Sequence, residues 1–116
     1  MNLSKKLQLT DRTPVFLVDA PTGLTLNLQT SKKEAGSAVL VFAINSVALA
    51  ASRDPAIGAA KEGRLSWIAY PKAGQLGTDL NRDELLKLMR PFGIEGVRLV
   101  SIDDVWSAMR FRPRRQ

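Results

Sequence analysis

Three apolar runs carry the strongest strand signals in the chain. Residues 14–18 read PVFLV, residues 38–44 read AVLVFAI and residues 65–70 read LSWIAY. β-Branched and aromatic side chains are frequent in these runs, and turn-forming residues follow the first and the third. The second run is apolar at every position, which is typical of a strand buried on both faces of a parallel sheet. We therefore predict that residues 38–44 form the central strand.

Helical signals lie between and after these runs. Residues 47–52 are rich in alanine and follow Asn45, while residues 54–62 begin with Asp54 as N-cap and proline at the first helical position, and end before Gly63. Asn81 opens a capping box, and apolar residues then recur at helical spacing up to the Pro-Phe-Gly of residues 91–93. The sequence thus predicts helices over residues 47–52 and 54–62, and a third helix that begins after Asn81 and ends at residues 91–93.

The remaining segments give weaker signals and one firm pairing. Residues 24–28 alternate leucine with polar residues, which predicts a half-buried edge strand or a short helical turn. Residues 31–34 match a capping box and predict at most two turns of helix. Residues 97–102 and 105–111 predict two strands, and the link between them is too short for a crossover. These two strands are therefore predicted to pair as an antiparallel hairpin.

The order of the elements predicts the fold class α/β. We expect a helix-covered, mostly parallel, twisted sheet in three Rossmann-like layers, with the antiparallel hairpin at the C-terminus. The length of 116 residues supports one domain, with residues 1–12 and 112–116 as flexible ends. The sequence shows neither a signal-peptide pattern nor an apolar run long enough to span a bilayer, so we expect a cytoplasmic protein without membrane contact.

Composition excludes several kinds of chemistry. The chain contains neither cysteine nor histidine, so disulfides, thiol nucleophiles, metal sites built on these residues and histidine-based triads are excluded. Lysine and arginine number 17 against 11 acidic residues, a formal net charge of +6. Much of this excess lies in the last seven residues, which contain Arg110, Arg112, Arg114 and Arg115. A short basic tail more often solubilises a chain than binds nucleic acid, so nucleic-acid binding is a weak alternative.

The segment from Tyr70 to Arg82 is the candidate ligand site. Ligands of open parallel sheets bind beyond the carboxyl ends of the strands, where this segment is predicted to lie. Lys72 and Arg82 could hold an anion near the start of the following helix, beside Asp79 and Asn81. The competing interpretation is that Asp79 or Asn81 caps the helix, Arg82 pairs with a nearby acid and Lys72 faces solvent. A Ser-Lys dyad at Lys72 would need a neighbouring serine, and the spacing indicates none.

The last predicted strand carries two further candidates. Trp106 and Arg110 lie four residues apart and therefore on one face, where a guanidinium group can stack near an indole to form a ligand shelf. The competing interpretation is that Trp106 fills the core and Arg110 pairs with an acid. Asp103 and Asp104 are adjacent acids, but such pairs in a turn usually face water, so no metal site is predicted.

Three stretches carry a resemblance to known proteins. These stretches are residues 65–72 (LSWIAYPK), 78–83 (TDLNRD) and 103–113 (DDVWSAMRFRP). They resemble a group of small bacterial proteins, the family catalogued as domain of unknown function 3052. The resemblance implies no particular activity. The strand order is also similar to the distal half of class I methyltransferases, in which a helix-linked strand leads to a final hairpin, although fold does not determine function.

The cofactor signals of such enzymes are missing from the sequence. Residues 19–23 supply one glycine after the first strand, where dinucleotide and adenosylmethionine sites need several, and neither GxGxxG nor GxxxxGK[ST] occurs. We therefore predict no cofactor and expect a non-enzymatic domain that acts through protein contacts, with a homodimer as one form. The alternatives are a small-anion or nucleotide-binding protein that uses the carboxyl edge of the sheet, and weak nucleic-acid binding through the basic tail.

Overall fold

The computed structural model describes residues 3–10, 13–24 and 26–114, which contain four α-helices and six strands. The strands are β1 (Val15–Val18), β2 (Thr30–Ser31), β3 (Ala38–Phe42), β4 (Ser66–Pro71), β5 (Ile94–Ser101) and β6 (Trp106–Pro113). The helices are α1 (Leu3–Lys6), α2 (Ser46–Ser52), α3 (Asp54–Lys61) and α4 (Arg82–Met89). Short 3₁₀ turns at Gln75–Gly77 and Arg90–Phe92 lie on either side of α4.

All six strands form one sheet in the order β2-β1-β3-β4-β6-β5. Neighbours from β2 to β4 pair in parallel, whereas β6 is antiparallel to both β4 and β5. Because two reversals restore the direction, β5 runs the same way as the first four strands. The mostly parallel sheet and the antiparallel C-terminal hairpin are therefore confirmed.

The predicted central strand is also confirmed. Val41 of β3 pairs with Val18 of β1 on one side and with Ile68 of β4 on the other. All five residues of β3 are buried. The apolar character of every position follows from this placement, since neither face of the strand meets water.

The two faces of the sheet are covered differently. Helices α2, α3 and α4 all pack on one face, where Leu49, Ala59 and Leu85 join Val39 and Val41 in one core cluster. The chain crosses from β3 to β4 and from β4 to β5 in the same direction across the sheet, and right-handed crossovers then place their helices on the same face. Helical layers were expected on both faces of the sheet, and α2, α3 and α4 form such a layer on one face.

The opposite face is covered by one-turn α1 and by irregular chain. Leu40 and Trp67 on this face contact a cluster that includes Leu7 and the leucines of residues 24–28. The chain passes from β1 to β2 against the direction of the later crossovers, so its connection covers the other face of the sheet. The indole Nε1 of Trp67 donates to the carbonyl oxygen of Leu7 at 3.1 Å, which ties the N-terminal segment to the sheet.

Two weaker predictions are wrong. Residues 24–28 form no strand among the described residues, and the edge strand is Thr30–Ser31 instead. Asn27 has a positive φ of 52°, which interrupts an extended run, while the leucines pack onto the sheet face. The predicted helix at residues 31–34 is a turn in which the Ser31 hydroxyl bonds to the backbone of Lys33, because the chain must return to β3 within a few residues.

Helix ends largely follow the capping signals. The side chain of Asn45 accepts a hydrogen bond from the backbone of Ala48 and caps α2. Asp54, predicted as an N-cap, is instead the first residue of α3, and Arg53 precedes it without a side-chain cap. Gly63 follows α3 with a φ of 77°.

The ends of the chain are only partly described. Strand β6 continues to Pro113, beyond the predicted strand end, and Leu7 is fully buried. Residues 1, 2, 11, 12, 25, 115 and 116, and with them the tail residue Arg115, lie outside the described residues. Across the described part of the chain, each helix is too short or too polar to cross a membrane.

Candidate functional site

Polar side chains collect at the carboxyl ends of the parallel strands. Asp19 follows β1, Ser46 follows β3 and Lys72 follows β4. Asp19 adopts a φ of 57°, and its carboxylate accepts a hydrogen bond from the Ser52 hydroxyl at 2.5 Å. The strand order reverses between β1 and β3, which is where ligands enter open α/β sheets. A ligand site in this sheet is therefore expected at this edge.

Asp79 occupies the N-terminus of α2. One carboxylate oxygen accepts from the backbone N–H of Ser46 at 2.8 Å, and the other accepts a short hydrogen bond from the Ser46 hydroxyl. These hydrogen bonds, the hydroxyl bond first, hold the pKa of the Asp79 carboxyl below its ordinary value. The helix end that would attract an anion at this edge thus already has a carboxylate of the chain itself.

The residues at the start of α4 follow the competing interpretation from the sequence. The side chain of Asn81 accepts from the Glu84 backbone at 2.8 Å and caps the helix. Arg82 pairs with Asp83 at 3.5 Å, with 65% and 84% of the two side chains exposed. Such an exposed ion pair contributes little stability. The types and spacing of these residues are therefore explained by the helix end.

Tyr70 lies inside the fold instead of lining an open site. The residue is buried on the sheet face that carries α2, α3 and α4. Burial raises the pKa of the Tyr70 phenol, and the positive charge of Arg82 opposes part of this rise. A phenol that stays protonated and buried acts as part of the core.

Lys72 has a partner that the sequence did not indicate. Its ammonium donates to the hydroxyl of Ser101 at 2.9 Å, and Lys6 donates to the carbonyl oxygen of the same residue at 2.9 Å. The serine lies 29 residues further along the chain, at the end of β5, which runs in the same direction as β4 and is separated from it by β6 alone. The spacing in the sequence indicated no serine beside Lys72, and the structure places Ser101 there.

The hydrogen bonds around Ser101 determine what this pair can do. The Ser101 hydroxyl donates to the carbonyl oxygen of Asp103 at 3.1 Å while it accepts from Lys72. A serine nucleophile needs a base that takes its proton, and here the lysine is the donor. The arrangement holds Lys72 in place at the end of β5 and does not form an activated nucleophile.

Trp106 and Arg110 share a face, as predicted, but do not stack on each other. Trp106 packs edge-on against Phe42, with 5.2 Å between ring centroids and an interplanar angle of 78°. Arg110 donates to the side chain of Gln8 at 2.6 Å. Trp106 therefore fills the core, and Arg110 pairs with an amide of the N-terminal segment in place of the expected acid. Val105, which directly precedes β6, also packs against the Trp106 cluster.

The acidic pair Asp103 and Asp104 forms the turn between β5 and β6. One oxygen of Asp103 accepts from the backbone of Val105 at 2.8 Å and of Trp106 at 2.7 Å, which shapes the turn. Among the described residues, no three histidine, cysteine, aspartate or glutamate side chains are grouped to hold a metal ion.

The sequence did not predict one groove, because segments far apart in the chain form its walls. It has a volume of about 430 Å³ and lies between α1, the segment that follows β1 and the end of β5. Its walls are formed by Leu3, Ser4, Leu24, Leu26, Asn27, Ile102 and Asp103. No periodicity in the sequence signals such a meeting of three segments.

The outer edge of β5 is the second feature that the sequence did not reveal. This strand ends the sheet and has eight residues, among which Val97 is 41% exposed and Leu99 47% exposed. A groove of about 260 Å³ runs beside it, with Leu86 of α4 and Met109 of β6 among its walls. Native edge strands are usually short or blocked, so a long edge with exposed apolar side chains is a surface that can pair with another chain.

Comparison with known proteins adds no relative. No protein-family model, no curated protein and no solved structure matches the chain. The family resemblance noted in the sequence therefore stays a prediction.

Proposed function

We propose that this chain is a protein-interaction domain that uses the outer edge of β5. The observation that carries the proposal is the exposure of Val97 and Leu99 on an eight-residue strand at the end of the sheet. An added strand would gain main-chain hydrogen bonds along this edge, and the adjacent groove would accept apolar side chains.

The proposal also agrees with how the other candidate residues are used. Lys72 is bound to Ser101 and Arg82 to Asp83, while Asp79 fills the N-terminus of α2. An anion at this edge would have to displace these contacts, so the geometry gives the anion-binding alternative less support. A thermal-shift screen with nucleotides and inorganic phosphate addresses that alternative, because a bound ligand stabilises the folded state.

The nucleic-acid alternative loses part of its basis. Arg110 and Arg112 lie within β6 and bond to Gln8 and Glu95, so they do not belong to a free tail. The backbone N–H of Arg114 also donates to Gly93 at 2.8 Å. The predicted tail arginines are therefore tied to their neighbours as far as the described chain extends.

A site-specific photo-crosslinker tests the proposed function. One variant carries the crosslinking amino acid at position 99 on the β5 edge, and a control carries it at position 76, where Leu76 is 54% exposed on a separate turn. After illumination in an extract of the producing cells, we expect discrete protein adducts, including any with the chain itself, at position 99 and none at position 76. Absence of adducts at position 99 would exclude the β5 edge as a contact surface.

The strand order also bears on a more specific classification of the α/β fold. We propose a Rossmann-like relationship, supported by the helix-linked parallel strands and by the reversal of strand order between β1 and β3. Strand β6, reversed between two strands of the opposite direction, also agrees with the methyltransferase-like order noted from the sequence.

A further inference from the structure

We propose that Arg98 of β5 and Arg110 of β6, the arginine pair, bind a phosphate dianion, either inorganic phosphate or the phosphate monoester of a small molecule. The site lies on the sheet face opposite α2, α3 and α4. It is separate from the apolar surface at the β5 edge, because Leu99 pairs with Met109, which packs on the face that these helices cover. The inference therefore does not depend on the proposed function.

The strand register places the two arginines side by side. Arg98 lies opposite Arg110, two residues along from the opposed residues Val100 and Ala108. Val100 and Ala108 both pack in the core cluster on the sheet face opposite α2, α3 and α4. Because side chains alternate in direction along a strand, Arg98 and Arg110 project from this same face. Directly opposed residues have Cβ atoms about 4.5–5.5 Å apart, so the two guanidinium groups can reach one ligand.

A second charged pair on the same two strands shows what the arginine pair lacks. Glu95 lies opposite Arg112, and the two side chains form an ion pair at 3.3 Å. Opposite charges stabilise such a cross-strand pair, whereas like charges directly opposite each other destabilise it. The arginine pair is therefore unfavourable for the chain on its own, and an anion between the two guanidinium groups would turn repulsion into attraction.

The hydrogen bonds of the arginine pair are incomplete. Nη1 of Arg110 donates to the neutral side-chain oxygen of Gln8 at 2.6 Å, while Nε of Arg110 is buried without a partner. The Arg98 side chain is exposed and forms neither a hydrogen bond nor an ion pair within the described part of the chain. Gln8 is also exposed, so a phosphate oxygen can replace its amide oxygen on Arg110. Guanidinium groups without a carboxylate partner are the donors that phosphate oxygens prefer.

Charge balance favours a terminal phosphate group as the ligand. The ion pair of Glu95 with Arg112 leaves Arg98 and Arg110 as two positive charges without a carboxylate partner among the described residues. A phosphate monoester carries a charge of about −1.5 to −2 at pH 7, which matches both. A phosphodiester carries a single charge, and a nucleic-acid strand needs a row of cations along its backbone. The arginine pair therefore fits one small dianion better than a nucleic-acid strand.

Isothermal titration calorimetry of the full chain with inorganic phosphate and, separately, with glycerol phosphate tests the site. We expect saturable binding at one site per chain, and the tighter of the two compounds identifies the source of the phosphate group. Arg98→Gln and Arg110→Gln should each raise the dissociation constant at least about tenfold, because each removes a charged donor. Arg82→Gln is the matched control, since it makes the same change at an exposed arginine of α4 and should leave the constant unchanged.

Thermal unfolding gives a second readout, which a purely structural role of Arg98 would not produce. In chloride buffer of low ionic strength, Arg98→Gln should melt at the same temperature as the unchanged chain or higher, because the substitution removes the repulsion within the arginine pair. In phosphate buffer, the melting temperature of the unchanged chain should rise more than that of the variant, because a ligand stabilises the folded state that binds it. The variant in the same buffer also corrects for the general stabilising effect of phosphate.

Several results would overturn the inference. The first is the absence of saturable binding of either phosphate compound, and the second is binding that Arg98→Gln leaves unchanged; Arg98 is exposed, so this variant is expected to fold. Loss of binding in Arg82→Gln would place the anion at the carboxyl edge of the sheet instead. A single-stranded oligonucleotide that binds more tightly than both phosphate compounds, and that Arg98→Gln no longer binds, would assign the arginine pair to nucleic acid.

Discussion

β3 and β5 run in the same direction in one sheet, yet their surroundings are opposite. Strand β3 has a parallel neighbour on each side and buries all five residues, whereas β5 has one neighbour and exposes Val97 and Leu99. The α4 helix and Met109 cover only part of the helix-side face of β5. The comparison shows that apolar side chains in this sheet serve two purposes, which are packing at the centre and an available surface at the edge.

The largest effect on the free energy of unfolding is expected at the central strand, β3. Leu40→Ala removes a fully buried side chain of β3 and leaves a cavity among Trp67 and its neighbours. We expect the free energy of unfolding to fall by about 2–5 kcal/mol. Chemical denaturation monitored by tryptophan fluorescence measures the change. A loss below about 1.5 kcal/mol, the range of tolerated volume-conserving swaps, would contradict the central position of this strand.

A smaller effect is expected where β5 meets α4. A Cβ atom at Gly96 would lie 2.6 Å from Cδ2 of Leu86 and would also overlap Sδ of Met109. We expect Gly96→Ala to lower the free energy of unfolding by about 1–3 kcal/mol because the packed side chains must shift. The same denaturation experiment measures it, with Gly58→Ala as a matched control, since a Cβ there meets only the Glu34 carboxylate at 4.0 Å.

A still smaller effect on stability is expected at the outer side of β5. Leu99→Ala removes a half-exposed side chain and should change the free energy of unfolding of the dilute monomer by no more than about 0.5 kcal/mol. The measurement requires a concentration below the dissociation of any dimer. A loss as large as that of Leu40→Ala would mean that Leu99 is part of the core, which would remove the basis of the proposed surface.

The smallest effect on stability is expected at Asp79, beside the N-terminus of α2. Because its folded-state pKa is lowered, the Asp79 carboxylate contributes stability above its ordinary pKa, and this contribution is lost as the pH falls through the lower folded-state value. We expect the melting temperature of Asp79→Asn to decline less than that of the unchanged chain below about pH 4. Asp83→Asn is the control, since Asp83 forms an exposed ion pair with Arg82. Identical acid profiles would contradict the role of the Ser46 contact.

Local signals predicted much of the fold. The apolar runs of β1, β3 and β4 and the caps Asn45 and Asn81 depend on neighbouring residues in the chain, and each is found where the pattern placed it. The segment at residues 24–28 was misread because alternating leucines fit an edge strand and a covering segment equally well. The choice between them depends on the direction of the crossover, which no local pattern encodes.

The candidate site was predicted less well. The carboxyl edge was located correctly, and Asn81 and Arg82 follow the capping interpretation. The contact between Lys72 and Ser101 and the exposed β5 edge both depend on β6 inserting between β4 and β5. Sequence spacing shows that β5 and β6 form a hairpin but does not show which of the two strands pairs with β4.

Composition and short-range periodicity were enough to predict an α/β chain without cysteine or histidine, with a fully buried parallel strand and an antiparallel C-terminal hairpin. The face that each segment covers, the partners of the polar side chains and the strand that ends the sheet could be read from the folded chain alone. These depend on crossover direction and strand order, where residues far apart in the chain meet.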